Sequence, residues 1–265
     1  MELETGQATV MEIKKENVRE LSQLLKTIIF KDFGTLHPYD SGLKITVDDG
    51  ACQQANAYLS SSFFSSFLVR EEDINLKVPM KTLYEVLSIP EGHSNSVKFS
   101  YCGMFEPLKL MIEEAESDGC VIRAKINCAL PEQDLDFEFQ DTNVLATYML
   151  RTQVLKEIFK DFDDSCKTVK MQFTKTALCF TTNGEVSIPS RSVQMETVKC
   201  TEEVAFSYIL SLLQRMNLAI NLASKVVIRV DERGVLCCQF TIDHGEDRKS
   251  YIEFLTVPTQ EENDD

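Results

Sequence analysis

No Cys-x-x-Cys pair, Gly-x-Ser-x-Gly elbow, His-Glu-x-x-His helix or Gly-x-x-x-x-Gly-Lys loop occurs in the 265 residues. The chain therefore shows no motif for a zinc ribbon, an activated serine, a metalloprotease or a nucleotide site. The three histidines, His37, His93 and His244, are scattered and read as loop-borne and solvated. No window approaches about 18 uninterrupted apolar residues, so no membrane span is expected. The opening stretch, MELETGQATVMEI, has no basic segment followed by an apolar run, and no secretory leader is expected. No Lys/Arg cluster resembles a nuclear import signal, so entry to a nucleus would be with a partner.

Basic residues are also scarce: 27 stand against 42 acidic ones, a net charge of −15. Such a balance argues against nucleic acid, whose phosphates require Lys and Arg. The argument is local rather than global, because exposed charges more than about 10 Å apart are largely screened at about 0.1 M salt. A basic surface can act independently of a distant acidic one. Nine cysteines, an odd number, mostly alternate into apolar runs, and Cys237-Cys238 is a vicinal pair in an apparent strand. This is the usage of buried thiols in a reducing compartment, not of a disulfide framework.

What the chain does have is periodicity. KKENVRELSQLLKTIIF (14–30) places Val18, Leu21, Leu25 and Ile28 at helical spacing. On its opposite side Lys15, Arg19 and Lys26 line up. A strand at 8–13 precedes this helix, expected over about 17–30. A hairpin around Asp40-Ser41-Gly42, strands at 51–59 and 74–78, and a helix opened by Pro79 and packed through Met80, Leu83 and Leu87 follow. Strands at 96–101, 107–114 and 119–127 close this half. ALPEQDLDFEFQ (129–140), with Pro131, Leu135, Phe137 and Phe139, interrupts the pattern and reads as a connector.

The order then restarts: a strand at 143–151 and a helix at 152–162 with Lys156 and Lys160 outward. Next come a hairpin at 168–182, a turn at Asn183-Gly184 and a strand at 191–197. A helix at 207–223 carries Arg215 on its polar side, and three strands follow over 225–257. The second half repeats the first at an offset of roughly 130 residues. The expected fold class is α+β, with two similar domains, each with two helices on one face of antiparallel sheets. The expected boundaries are 1–128, a connector at 129–141, 142–258, and a disordered acidic tail at 259–265. If the helices cover one sheet face, Lys15, Arg19, Lys26, Lys81, Lys156, Lys160 and Arg215 share a surface.

NVRELSQLLKTI, GLKITVDDGACQQANAYL, LYEVLSI, EPLKLMIEE, LDFEFQDTNV and KVVIRVDERGVLCCQFTI, in this order and spacing, resemble the DNA sliding clamps of the proliferating-cell-nuclear-antigen type. Within them they are most similar to the Rad-one family of subunits from the heterotrimeric 9-1-1 DNA-damage checkpoint clamp. The likeness runs from about residue 8 to 258. It implies a sliding-clamp fold and a ring of three subunits with helices lining the hole. Arg19 and Lys26 match basic positions of the first helix, and Lys160 one on the third. Lys15 and Lys156 lie near such positions without strict correspondence. Glu85 and Ser88 stand where replicative clamps carry lysines, so the lining is weakly basic.

The resemblance further implies pairing with two related subunits, of Rad-nine and Hus-one types. Edge strands through Val121, Arg123 and Lys125 at one end, and Ser192, Val193 and Met195 at the other, would make the joints. It implies loading by an ATP-dependent clamp loader and binding to double-stranded DNA without sequence specificity. Repair and checkpoint proteins would be recruited in the nucleus, at damage sites and at telomeres. No catalytic residue, metal, cofactor or membrane partner is expected.

Two alternatives remain at this point. Asp136 and Glu138, if on one strand face, could hold metal with Asp161, Asp163 and Asp164 in a 3'-5' DNA exonuclease. A homotrimeric replicative clamp is the other, distinguished by whether the chain trimerises alone.

Overall fold

A computed structural model describes residues 8–90, 95–114, 121–131, 136–163, 165–245 and 248–259. Leu135, Asp164, His93 and the tail from 260 onward lie outside the described residues, as do Gly119 and Cys120 of the strand expected at 119–127. The chain divides into two compact units. Unit 1 comprises Met1–Val47 and Ala57–Asp134; unit 2 comprises Asp48–Asn56 and Leu135–Asp265.

Unit 1 contains β1 (Met11–Glu16), α1 (Val18–Lys26), β2 (Phe33–Tyr39), β3 (Gly42–Asp49), β4 (Gln53–Ser60), β5 (Ser66–Val69), β6 (Leu76–Pro79), α2 (Met80–Leu87), β7 (Asn95–Tyr101), β8 (Leu108–Glu114) and β9 (Val121–Ile126). The unit boundary falls within β3 and β4, since Asp48–Asn56 belong to unit 2. The strands order as β5-β1-β7-β8-β9 and as β4-β3-β2-β6. Pairing is antiparallel, as in Met11↔Tyr101 and Leu108↔Ile126.

Unit 2 contains β10 (Val144–Arg151), α3 (Thr152–Lys160), β11 (Thr168–Phe173), β12 (Ala177–Thr181), β13 (Glu185–Pro189), β14 (Met195–Cys200), β15 (Val204–Ile209), α4 (Leu210–Gln214), α5 (Asn217–Leu222), β16 (Lys225–Asp231), β17 (Leu236–Asp243) and β18 (Lys249–Thr256). Its strands order as β14-β10-β16-β17-β18 and β13-β12-β11-β15. Element for element this is the plan of unit 1: β10 stands for β1, β14 for β5 and β13 for β4. The last helix of the second plan is split into α4 and α5.

The elements follow from the period of their apolar residues. In β1, Met11 and Ile13 face inward in alternation. In α1, Val18, Leu21, Leu24 and Leu25 are buried, while Arg19, Gln23 and Lys26 are exposed. Helices α1 and α2 pack together in unit 1, and α3 packs on α5 in unit 2. Tyr148, Phe173, Tyr208, Phe240 and Phe254 form the aromatic centre of unit 2. The phenol of Tyr208 donates to the Gly234 carbonyl at 2.8 Å, so its polar tip is satisfied inside the core.

Several elements differ from the sequence expectation. The helix expected over 17–30 ends at Lys26. The strand expected at 191–197 begins at Met195, which leaves Ser192 and Val193 in the preceding turn. Strand β15 occupies residues assigned in part to a helix beginning at 207. β5 and β13 have no counterpart in the sequence expectation.

Gly234 has φ +78°, and a β-carbon there would sit 2.5 Å from Phe206 Cδ1. Gly245 has φ +76° with open space around it. Gly245→Ala should therefore cost only the left-handed backbone penalty of about 1–2 kcal/mol. Gly234→Ala adds ring displacement worth about 1–3 kcal/mol. Urea unfolding of the two variants measures the difference, and equal midpoints would contradict the close approach of Phe206.

Candidate nucleic-acid interface

The seven cations expected on one surface fall into different environments. Lys15 is in β1, not in the helix, and shares the inward face with Met11 and Ile13. It is 3% exposed. Its ammonium donates to Glu20 Oε2 at 2.7 Å and lies 4.0 Å from the centroid of the Phe63 ring. Glu20 also accepts from Asn17 Nδ2 at 3.0 Å. Lys15 is thus a structural cation fixing the β1–α1 corner, and the expectation that it joins an outward stripe is corrected. Strand alternation, not helical spacing, sets its direction.

Arg215 is also largely committed. Its guanidinium pairs with Asp49 at 2.8 Å and donates to Gln53 Oε1 at 3.3 Å. Lys156 donates to the Asn221 carbonyl in the last turn of α5, where a cation complements the helix dipole. Arg19 and Lys26 on α1, Lys81 on α2 and Lys160 on α3 are exposed. Lys81 lies 3.9 Å from Glu85, one turn on, which weakens its field. Beside Arg19 a polar notch of about 220 Å³ opens between α1 and α2, lined by Ser22, Ser88 and Asn95 among others. The outward helix faces therefore carry few cations.

Strand edges are the second feature. β9 ends its sheet, with Arg123 and Lys125 exposed and Val121 half-buried. β14 ends the equivalent sheet of unit 2, and Met195 lies on it. β13 ends the other sheet of unit 2 and is exposed at every position except Ile188. Sequence reasoning misses this edge because the strand is short, with Val186 and Ile188 as its alternating apolar pair and Pro189 closing it.

The described residues of the connector from Asp136 onward are anchored. Phe137 is buried against Val235, Cys237 and Leu255, with Phe139 and Val257 packed on the same cluster. Arg233 Nη2 donates to the Phe137 carbonyl at 2.7 Å and the Glu138 carbonyl at 3.1 Å. The same guanidinium pairs with the fully buried Asp231 at 2.9 Å. Arg229 lies 5.4 Å from the Phe139 ring centroid and bonds Asp141.

Asp136 and Glu138 do not form a strand pair. Asp136 Oδ1 accepts from Glu138 N at 2.8 Å, and Glu138 has φ +49°. Asp163 Oδ1 accepts from Ser165 N at 2.8 Å and Oδ2 from Asn183 Nδ2 at 3.1 Å. These hydrogen bonds, that to Ser165 first, hold its pKa below the usual value. These two acids cap turns, and among the described residues no group of three or more metal-ligating side chains could hold an ion. His37 lies on β2 rather than in a loop, with Nδ1 3.1 Å from the Ile74 carbonyl. Among the described residues all cysteines are free thiols, and no helix is long and apolar enough to cross a membrane.

The family model for repair protein Rad1/Rec1/Rad17 matches residues 10–242. The chain belongs to this family. It is 61% identical to the cell cycle checkpoint protein RAD1 homolog mrt-2 of Caenorhabditis elegans, over 99% of each chain. It is 32% identical to human cell cycle checkpoint protein RAD1, covering 93% of this chain and 90% of that one. In structure it resembles the proliferating cellular nuclear antigen of Entamoeba histolytica, with a TM-score of 0.76 at 14% identity, over 96% of this chain and 100% of that one. The fold is that of the sliding clamps.

Replacing Lys15 by Ala should destabilise the chain by about 1–3 kcal/mol, since it strips a partner from Glu20 and packing from Phe63. Arg19→Ala and Lys26→Ala, on exposed positions, should each stay within about 0.5 kcal/mol. Chemical denaturation separates the two classes.

Proposed function

We propose that this chain is the Rad-one-type subunit of a heterotrimeric checkpoint clamp that encircles duplex DNA. The supporting observation is its identity with checkpoint proteins of the Rad1 family over essentially the whole chain. Two domains, joined by the connector at 129–141, each contribute two helices to the lining of the ring. Arg19, Lys26 and Lys160 face the phosphate backbone, with Lys81 as a weaker contributor. Contacts to phosphate carry no sequence information, so the clamp slides rather than recognises a site.

Two related subunits, of Rad-nine and Hus-one types, complete the ring. Unpaired edges invite strand addition, and head-to-tail joints between different chains can close a ring. β9 supplies one joint through Val121, Arg123 and Lys125. The other uses an edge of unit 2. The turn and strand around Ser192, Val193 and Met195 offer one such edge, and β13 offers a longer exposed one. A clamp loader driven by ATP opens the ring, and the loaded clamp recruits repair and checkpoint proteins in the nucleus, at damage sites and at telomeres. The subunit itself catalyses nothing in this scheme.

The alternatives fit less well. An exonuclease needs clustered carboxylates, and the Asp136 and Asp163 carboxylates are used to close turns. A replicative homotrimer calls for a denser cationic lining than α2 provides, where Lys81 has Glu85 beside it.

Charge reversal at Arg19, Lys26 and Lys160 to Glu should leave assembly with the two partner subunits intact. Retention on linear duplex DNA with free ends, from which a clamp can slide, should fall, and the log-log salt slope should become shallower by about 0.9 for each phosphate the clamp ceases to neutralise. Unchanged retention at low salt would remove these residues from the lining. A chain that forms a trimer by itself on sizing would favour the replicative alternative.

A further inference from the structure

One apolar surface of unit 1 lies apart from the outward helix faces and from the edge strand β9. The hairpin between β7 and β8 turns at Cys102–Pro107, closed by Glu106 N donating to the Gly103 carbonyl at 3.1 Å. Its tip presents Met104 at 70% and Phe105 at 84% exposure. Phe105 has φ +69°, a left-handed conformation unfavourable for an aromatic residue. Leu130, 68% exposed, lies on the same groove. Single exposed apolar side chains are ordinary, but three around one concavity are not scattered.

The groove has a volume of about 500 Å³, within the range of ligand pockets. Buried Ile74, Leu76 and Tyr101 line it. Every charged residue among its described lining is acidic: Glu71, Glu72 and Asp73. The Tyr101 phenol titrates above its ordinary value, chiefly through burial, with Cys128, Glu71 and Glu106 adding to the effect. Nearby bases are engaged elsewhere. Arg70 donates to the Thr9 carbonyl at 2.7 Å, and the Lys77 ammonium lies over the Phe33 ring.

We propose that this groove docks a short peptide segment of another protein, with an aromatic or large aliphatic anchor flanked by lysine or arginine. The anchor fills the apolar concavity between Phe105 and Leu130, and the flanking cations meet Glu71, Glu72 and Asp73. Charge complementarity selects this occupant. A second copy of a chain with net charge −15 would bring like charge to an acidic rim. Duplex DNA would bring phosphates to the same carboxylates. Exposed aromatic and methionine side chains suit such docking. Aromatic rings give large contact area with few internal rotations, and methionine adapts its shape to what it meets.

The test is selection of a random peptide library on the purified full-length chain, followed by anisotropy titration of the best enriched peptide as a labelled synthetic probe. The enriched peptides should share a Phe, Leu or similar anchor beside at least two Lys or Arg residues. Phe105→Ser and Leu130→Ser should each weaken the probe by about thirtyfold, the scale of truncating a hot-spot side chain. A Glu71→Gln, Glu72→Gln double variant should weaken it several-fold and flatten its salt dependence. Both serine positions are exposed, so unchanged thermal melting is expected to accompany the weaker binding. The proposal is overturned if no peptide is enriched, if neutral or acidic peptides dominate, or if the probe binds the Phe105→Ser chain equally well. Concentration-dependent self-association abolished by Phe105→Ser would also overturn it, making a second copy the occupant.

Discussion

Short helical segments in each unit have to pack against strands of two sheets, and this requirement decides where every outward cation can stand. In α1 the inward set is Val18, Leu21, Ser22, Leu24 and Leu25. What remains to face solvent is a narrow strip holding Arg19, Gln23 and Lys26. In α3, burial of Thr152, Leu155 and Ile158 leaves Gln153, Glu157 and Lys160 exposed. α4 and α5 contain no lysine or arginine, and Arg215 between them is drawn to Asp49. Packing thus limits the outward positions, and Gln23, Gln153 and Glu157 occupy several of those that remain, so the cationic density stays low. A surface with so few cations would bind weakly by itself. Enclosing the duplex, as proposed, replaces affinity with a topological link, so weak contacts are enough to hold while still permitting movement.

Most of the fold is legible because burial imposes a period on sequence. The alternation in β1, β7, β8 and β16–β18 and the helical spacing in α1 to α3 each leave a direct mark, and so does the restart of the order at Val144. Where the period fails, legibility fails with it. β5 lies in a mixture of serines and phenylalanines, and β13 buries only Ile188, so neither has a clear inward set. The stretch 207–223 is apolar at spacings that suit a helix, yet it begins in β15 and breaks at Arg215–Met216 with no Gly or Pro to mark the break.

Lys15 misleads for a different reason. Its step of four to Arg19 looks helical, but Asn17 and Glu20 stand three apart, the spacing of a helix start. That signal puts Lys15 outside the helix, on the inward side of the strand, with Glu20 as its countercharge. The candidate site is thus legible only where a cation's element is correctly bounded. Arg215 cannot be read from local pattern at all, because Asp49 and Gln53 lie more than 160 positions away in sequence.

The connector shows how an acidic segment can be held without being neutralised along its length. Its backbone carbonyls at Phe137 and Glu138 accept from Arg233, which is itself fixed by the buried Asp231. Asp231 in turn accepts from the backbone of Arg233 and Val235, so its charge is distributed over donors rather than left bare. A buried carboxylate of this kind is tolerable only while its donors stay in place. The turn that supplies them also needs Gly234 in a left-handed conformation beside Phe206. Turn, arginine and connector therefore stand or fall as a unit, and Phe137 adds apolar burial to the same anchor. Arg233 grips main-chain atoms, so this hold does not depend on connector side chains, whereas Phe137 and Phe139 are constrained in size by packing on the Val235–Cys237–Leu255 cluster.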